Sequence, residues 1–190
     1  MGNFYTNYTL KGVSQQAVAS AMSGRTAIVT PASRDVVTVF DSASDSQDDK
    51  ILADLAAKLS TELNCATLAI LNHDDDILWY QLYEGGALVD HYNSSPDYFD
   101  FRPKGQPRGP TGGNAEKLCR AFGSEHVARV ETILRKSALD EDGYVFAFQR
   151  HADLFEALGL PSFGVAVSYA SFEEGEIPED LPAADVIHTK

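Results

Sequence analysis

The chain has 190 residues, 44% of them hydrophobic, and a formal net charge of −13; it is apolar enough to form a core and too acidic for general nucleic-acid binding. No apolar run approaches the roughly 20 residues of a membrane-spanning helix, and the first residues lack the basic and apolar regions of a secretory signal. Cys65 and Cys119 stand alone, so we expect a soluble cytoplasmic protein with no disulfide and no metal site.

The first half of the chain alternates between strand and helix patterns. Short runs of aromatic and β-branched residues predict strands at 4–10, 25–30, 35–40 and 67–72. Helices are predicted at 14–22, where Ser14 is the capping residue, and at about 46–63, where Asp48 and Asp49 favour the first turn. The resulting βαββαβ order is typical of a ferredoxin-like layer, with two helices on one face of an antiparallel or mixed sheet.

A β-meander extends this sheet beyond residue 72. The strand predicted at 77–83 is apolar on both faces, with Leu78, Tyr80 and Leu82 on one side and Ile77, Trp79 and Tyr83 on the other. A strand of this kind must be covered on both sides. A three-residue loop at 84–86 would pair Trp79 with His91, the preceding hairpin would pair it with Ile70, and Trp79 should be deeply buried.

The second half is expected to be mostly helical. Residues 93–113 form a loop rich in proline and glycine, and they connect the sheet to the later elements. These elements are predicted as helices at 114–122, 124–136 and 151–158, an extended segment at 144–148 and a strand at 163–172. We therefore predict a single α+β domain over 1–190, made of a sheet-rich half (1–99), a helical half (100–172) and an acidic surface tail (173–190).

Charge is distributed unevenly along the chain. Residues 101–136 hold 8 Lys/Arg and 3 Asp/Glu, whereas residues 1–100 and 137–190 are strongly acidic. The basic segment follows the last strand of the meander and precedes a helix whose first N–H groups favour anions. These features predict a small anionic ligand, a phosphate or carboxylate, between residues 90–97 and 102–114. The candidate binding residues are His91, Tyr92, Asp97, Arg102, Lys104, Arg108 and Asn114.

Each part of this region also has a structural interpretation. His91 would pack on Trp79, residues 109–114 would be a connecting loop, and the basic side chains would pair with acids of the same chain. Glycines without a following Lys-Ser/Thr pair do not make a phosphate-binding P-loop. The acidic turn 73–76 offers oxygen ligands without the spacing of a calcium loop. His151, beside Arg150 and near the start of a predicted helix, is a candidate functional residue, with a surface or helix-capping role as the alternative.

No catalytic motif or cofactor-binding fingerprint is present in the sequence, and the catalytic residues are unknown. The leading hypothesis is therefore a non-enzymatic binding or regulatory module that presents an acidic surface to a basic protein partner. The alternative is a small-molecule enzyme or an anion-binding protein that uses the site described above. No cofactor, nucleic acid or membrane is expected as a partner.

Overall fold

The computed structural model describes residues 2–100, 108–138 and 140–190, and within them one antiparallel sheet carries helices on both faces. The strands are β1 (Tyr5–Lys11), β2 (Ala27–Val29), β3 (Val36–Asp41), β4 (Ala66–His73), β5 (Ile77–Glu84), β6 (Ala87–Asn93), β7 (Thr111–Gly112) and β8 (Ile187–Thr189). The helices are α1 (Gln15–Ala21), α2 (Asp49–Glu62), α3 (Ala115–Phe122), α4 (Val127–Arg135), α5 (Ala147–Leu158) and α6 (Tyr169–Glu173). The α+β class is as predicted.

The described strands form an eight-stranded sheet in the order β7-β6-β5-β4-β1-β3-β2-β8. Every neighbouring pair is antiparallel. The long strands β1, β4 and β5 lie at its centre, where they are covered on both faces. None of the helices in the described part of the chain combines the length and the apolar character that crossing a bilayer requires.

Side-chain caps begin α1, α2 and α3, and those of α1 and α3 are the predicted ones. Helix α2 begins at Asp49, later than the predicted start near residue 46, so Asp48 is its cap and does not lie in its first turn. The Ser14 hydroxyl accepts from the Ala17 N–H at 3.3 Å, and the Asp48 carboxylate accepts from the Lys50 N–H at 2.8 Å. The Asn114 carbonyl oxygen accepts from the Lys117 N–H at 2.9 Å. Because each cap satisfies a donor that the first turn leaves unpaired, the starts of α1 and α3 could be predicted from local sequence.

Two hydrophobic clusters cover the two faces of the sheet. On one face, α3, α4 and α5 pack on β4 and β5, and this cluster includes Leu68, Leu78, Tyr80, Leu118, Leu134 and Phe155. On the other face, α2 packs on the same strands and α1 packs beside it on β2 and β8. The second cluster includes Tyr8, Val18, Leu52, Leu59, Leu71 and Tyr83. The apolarity of both faces of β5 is thereby explained, as expected.

The predicted register of the meander is wrong. The loop after β5 has two residues, Gly85 and Gly86, both with positive φ, so Glu84 pairs with Ala87. A bulge then leaves one β6 residue unpaired, which shifts the partner of Trp79 to Asn93. On the other side, Trp79 pairs with Leu71 and not with Ile70. Trp79 is half-buried, and His91 lies on the same face of the sheet, opposite Gln81 and exposed.

The later part of the chain departs from the prediction in three places. Helix α5 begins at Ala147, one turn before the expected start, so residues 144–148 are not an extended segment. Residues 163–172 form a 3₁₀ turn and then α6, because Ala166 has a φ of +59° that a strand does not allow. The acidic segment after residue 173 does not end as a free tail, since Ile187–Thr189 pair with β2.

Candidate functional site

A cavity of about 280 Å³ lies where three connecting segments meet beyond the ends of β4, β5 and β6. The β4–β5 turn, the chain after β6, and the α4–α5 connection with the first turn of α5 form its walls. Its lining includes two carboxylates, two basic side chains and several hydroxyl groups: Asp75, Asp76, Ser94, Ser95, Tyr98, Arg108, Ser137, Tyr144 and Arg150. We call this space the Arg150 cavity. It adjoins the region 90–97 where the sequence predicts a ligand.

The β4–β5 turn is held in place by a buried carboxylate. Asp75 accepts hydrogen bonds from the Asn3 main-chain N–H at 2.9 Å and from the Asn72 side-chain amide at 3.0 Å. Its own main-chain oxygen accepts from the Ala147 N–H at 2.5 Å, the first residue of α5. Asp75 therefore joins the start of β1, the end of β4 and the start of α5, and it fixes one wall of the cavity.

Arg150 supplies a buried positive charge to the opposite wall. The residue is 2% exposed, and its two terminal nitrogens donate to the carbonyls of Ile133 and Lys136 at 2.6 and 2.7 Å. These carbonyls lie at the C-terminal end of α4, so Arg150 also caps that helix. The centre of the Tyr144 ring lies 4.5 Å from the guanidinium carbon of Arg150, a cation–π contact.

The charge of Arg150 has no anionic partner in direct contact. Among the described residues, no carboxylate lies within ion-pair distance of the guanidinium, and the exposed Asp140 acts on it only as a more distant charge. Burial lowers the pKa of Arg150 from its usual value. A guanidinium has five N–H donors, and a buried charge without a counterion is costly. An anion in the cavity would offset this cost.

Arg108, a predicted site residue, also lines the cavity, but it is paired. Its Nε donates to the Asp97 carboxylate at 2.7 Å, and its main-chain N–H donates to the other carboxylate oxygen at 2.9 Å. Asp97 is itself a predicted site residue, so the structure does bring these two together. Their mutual pairing fixes the chain after β6 against the mouth of the Arg150 cavity.

The other predicted site residues have structural positions. Tyr92 is buried and donates to the Leu134 carbonyl at 3.0 Å, and burial raises its pKa to about 12. His91 is exposed, and its main-chain oxygen accepts from the Gly113 N–H at 2.6 Å. Asn114 caps α3. Arg102 and Lys104 lie outside the described residues.

The start of α3, where the sequence predicts an anion, already faces a carboxylate of the chain. The Asp90 carboxylate accepts from the Asn114 main-chain N–H at 2.8 Å and from the Tyr80 hydroxyl at 2.7 Å. Most described basic side chains of 101–136 also have acidic partners. The ion pairs are Arg108–Asp97, Arg120–Glu84, Arg129–Glu156, Arg135–Glu131 and Lys136–Asp142. In the described part of this segment, most basic side chains therefore have an acidic partner within the chain.

Sequence reasoning did not select Arg150, although a signal was present. The buried face of α5 includes Arg150, His151 and Leu154, so a charged residue lies on the apolar stripe of an amphipathic helix. The predicted helix began at residue 151, which placed Arg150 outside the stripe. With the helix start at Ala147, Arg150 lies on the buried face of α5.

The cavity has the features of a binding site, with the buried Arg150 guanidinium, hydroxyl groups and aromatic walls. Two carboxylates also line it, Asp76 and Asp75, of which Asp75 already accepts hydrogen bonds from Asn3 and Asn72. In residues 2–100, 108–138 and 140–190, no three His, Cys, Asp or Glu side chains are grouped as a metal ion would require. Comparisons of the chain with protein-family models, with curated proteins and with solved structures found no match, so any functional conclusion must come from the side chains of the site.

Proposed function

We propose that the protein binds a small anion, a carboxylate or phosphate compound, in the Arg150 cavity. The observation that carries the proposal is the buried guanidinium of Arg150, which lines the cavity without a carboxylate partner among the described residues. Arginine suits planar, bidentate contacts with carboxylates and phosphates. A volume of about 280 Å³ limits the ligand to metabolite size.

Calorimetric titration tests this proposal with inorganic phosphate, sulfate and succinate as probes. Replacing Arg150 by Gln removes the charge, and we expect at least a tenfold loss of affinity, in keeping with the roughly 1.5–3 kcal/mol of a hydrogen bond to a charged group. Arg129→Gln is the matched control, because Arg129 is an exposed arginine of α4 that pairs with Glu156 of α5. Absence of binding by the wild-type protein to all three anions would refute the proposal.

Arg150 also caps α4, so its replacement is expected to lower stability, and a second variant separates the two effects. Ala138 lines the cavity and is exposed, and a Phe at this position should obstruct the space while leaving the contacts of Arg150 intact. We expect Ala138→Phe to weaken anion binding with little change in the unfolding midpoint. If Ala138→Phe binds as tightly as wild type, the anion site lies elsewhere.

A second candidate function is the recognition of a basic protein partner, and one surface segment favours it. Residues 173–180 contain five exposed acids and no base: Glu173, Glu174, Glu176, Glu179 and Asp180. Ile177 lies among them with 43% of its surface exposed. An apolar residue surrounded by like charges suits a partner with a basic rim around a hydrophobic contact.

Co-purification from the native host tests the partner hypothesis. Wild-type protein should retain a basic protein at low salt, and a variant with Gln at 173, 174, 176 and 179 should lose it, because exposed charge contacts are screened by salt. The neutral variant should bind anions as well as wild type does. The two functions are thus distinguished by which variant loses which ligand.

We also infer that β1, α1, β2, β3, α2 and β4 form a ferredoxin-like unit, which the meander and the later helices extend. The order β4-β1-β3-β2 in the sheet and the shared packing of α1 and α2 support this inference. A cytoplasmic location remains our prediction. It is supported by two free, buried cysteines, which are typical of a reducing compartment.

A further inference from the structure

A second cavity, of about 310 Å³, lies on the α2 side of the sheet, the face opposite to that covered by α5. The ends of β4, β5 and β6 form its floor, and Phe99 and the start of α2 form its sides. Its principal lining residues are Gln47, Asp49, His73, Trp79, Asn93 and Phe99. We call this space the Trp79 pocket. It is separate from the Arg150 cavity, with which it shares no lining residue.

Hydrogen bonds orient the polar side of the Trp79 pocket. The Gln47 amide nitrogen donates to the Asn72 carbonyl at 2.8 Å, so its oxygen is left to accept from Nδ1 of His73 at 2.6 Å. Gln47 has a φ of +57°, which turns the chain from the 3₁₀ segment into α2. The ring of His73 is further held by edge contacts with Phe4 at 4.9 Å and Phe99 at 5.1 Å.

Aromatic surface on the other sides of the pocket is exposed in the part of the chain that the structure describes. Trp79, the only tryptophan, is half-buried although its strand lies near the centre of the sheet. Phe99 is 61% exposed, which is unusual for a phenylalanine beside a cavity. A bound molecule between these side chains would remove apolar area from water at both rings.

The charge around this pocket selects against anions. Among the lining residues that the structure describes, Asp49 is the only charged side chain, and none is Lys or Arg. No basic side chain of the described residues pairs with Asp49; its neighbour Lys50 pairs instead with Asp54. An aromatic face and a carboxylate without a counterion both attract a cation.

We propose that the Trp79 pocket binds a small organic cation, of the alkylammonium or quaternary ammonium class. The cation packs against the indole of Trp79 and the ring of Phe99, and its charge faces Asp49. Gln47 and His73 are positioning residues, because they hold the polar side of the pocket in place. This site is independent of the anion site, and it uses different side chains and the opposite sign of charge.

The single tryptophan makes the test direct. Titration with choline should change the intensity of Trp79 fluorescence in a saturable manner. The control compound is 3,3-dimethylbutan-1-ol, which has the same shape as choline and no charge. We expect choline to bind about tenfold more tightly than this alcohol, as a partly desolvated cation–π contact with a nearby carboxylate implies. Equal affinity for the two compounds, or no saturable change with choline, would overturn the proposal.

Two variants of α2 then locate the charge. Asp49→Asn should weaken choline binding about fivefold or more and leave the alcohol unaffected, because only the cation senses the carboxylate. Asp54→Asn is the matched control, since Asp54 is exposed on the same helix, one turn further along. Phe99→Leu should weaken the binding of both choline and the alcohol. If Asp49→Asn and Asp54→Asn bind choline equally, the cation does not occupy this pocket.

Discussion

His151 shows how a single residue can link this fold to pH. The imidazole is fully buried on the inner face of α5, and its Nδ1 lies 2.9 Å from the hydroxyl of Tyr5. Its Nε2 has no hydrogen-bond partner among the described residues. Burial lowers the pKa of His151 from 6.5 to about 3, so the folded protein holds this histidine neutral.

We expect the stability of the protein to decrease with acidification through this residue. Between pH 6.5 and about 3, a histidine in the unfolded chain binds a proton while the folded His151 does not. The contribution of neutral His151 to the free energy of unfolding is fully present above pH 6.5. Below pH 6.5 the free energy of unfolding falls by up to about 1.4 kcal/mol per pH unit. Chemical denaturation of the variant His151→Gln should show a shallower pH dependence in this window than wild type. His126→Gln, at an exposed position, should retain the wild-type slope, and identical slopes for all three proteins would contradict the prediction.

Trp79 gives a second prediction at the residue scale. A fully buried Trp replaced by Ala costs about 3–5 kcal/mol, but Trp79 is only half-buried. We therefore expect Trp79→Ala to cost about 1–3 kcal/mol in the free energy of unfolding, by urea denaturation. Leu78→Ala, at the fully buried neighbouring position, should cost at least as much. A larger loss for Trp79→Ala than for Leu78→Ala would show that the pocket is closed around the indole.

At the scale of elements, the start of α3 joins the meander to the helical layer. Asp90 of β6 bonds both to the Tyr80 hydroxyl of β5 and to the main chain of Asn114, which in turn caps the helix. A binding function for Asn114 is therefore not needed to explain its presence. The same contacts fix the strand-to-helix connection against the sheet.

Removing the cap of α3 should have a limited and specific effect. We expect Asn114→Ala to lower the free energy of unfolding by about 1 kcal/mol, because the Lys117 N–H loses its acceptor. Asn114→Ser should restore most of this loss, since a serine hydroxyl is also an effective cap. Thermal denaturation followed by circular dichroism measures both. A serine variant as unstable as the alanine variant would point to a role other than capping.

At the scale of the whole molecule, the two sequence halves share one hydrophobic cluster. Leu68 and Tyr80 of the sheet pack with Leu118, Leu134 and Phe155 of the later helices. At the far edge, β8 from the end of the chain pairs with β2. Such sharing of apolar contacts favours cooperative unfolding, because neither half retains a complete core alone.

We predict one unfolding transition for the full chain. Trp79 fluorescence reports on the sheet and far-ultraviolet circular dichroism is weighted toward the helices, and the two urea midpoints should coincide. Limited proteolysis between residues 102 and 113 provides a second measurement, and the two fragments should not fold independently. Two separate transitions, or two fragments that each unfold cooperatively, would show that the helical layer is a domain of its own.

The sequence by itself determined the features that depend on neighbouring residues. Ser14 and Asn114 could be identified as caps because a cap acts within three residues of itself. The strands β4, β5 and β6 could be located from alternation and turn residues, and the two-sided cover of β5 followed from its composition. The α+β class follows from these local signals.

Only the tertiary structure decided the features that depend on distant residues. A bulge and a two-residue turn set the register around Trp79. Strand β8 forms because Ile187–Thr189 pair with the edge of β2. The predicted cations of 101–136 largely pair with acids from other elements, whereas Arg150, in an acidic stretch of the sequence, faces a cavity without an ion-pair partner among the described residues. Charge pairing and cavities arise from packing between segments far apart in the chain, and local sequence patterns do not predict that packing.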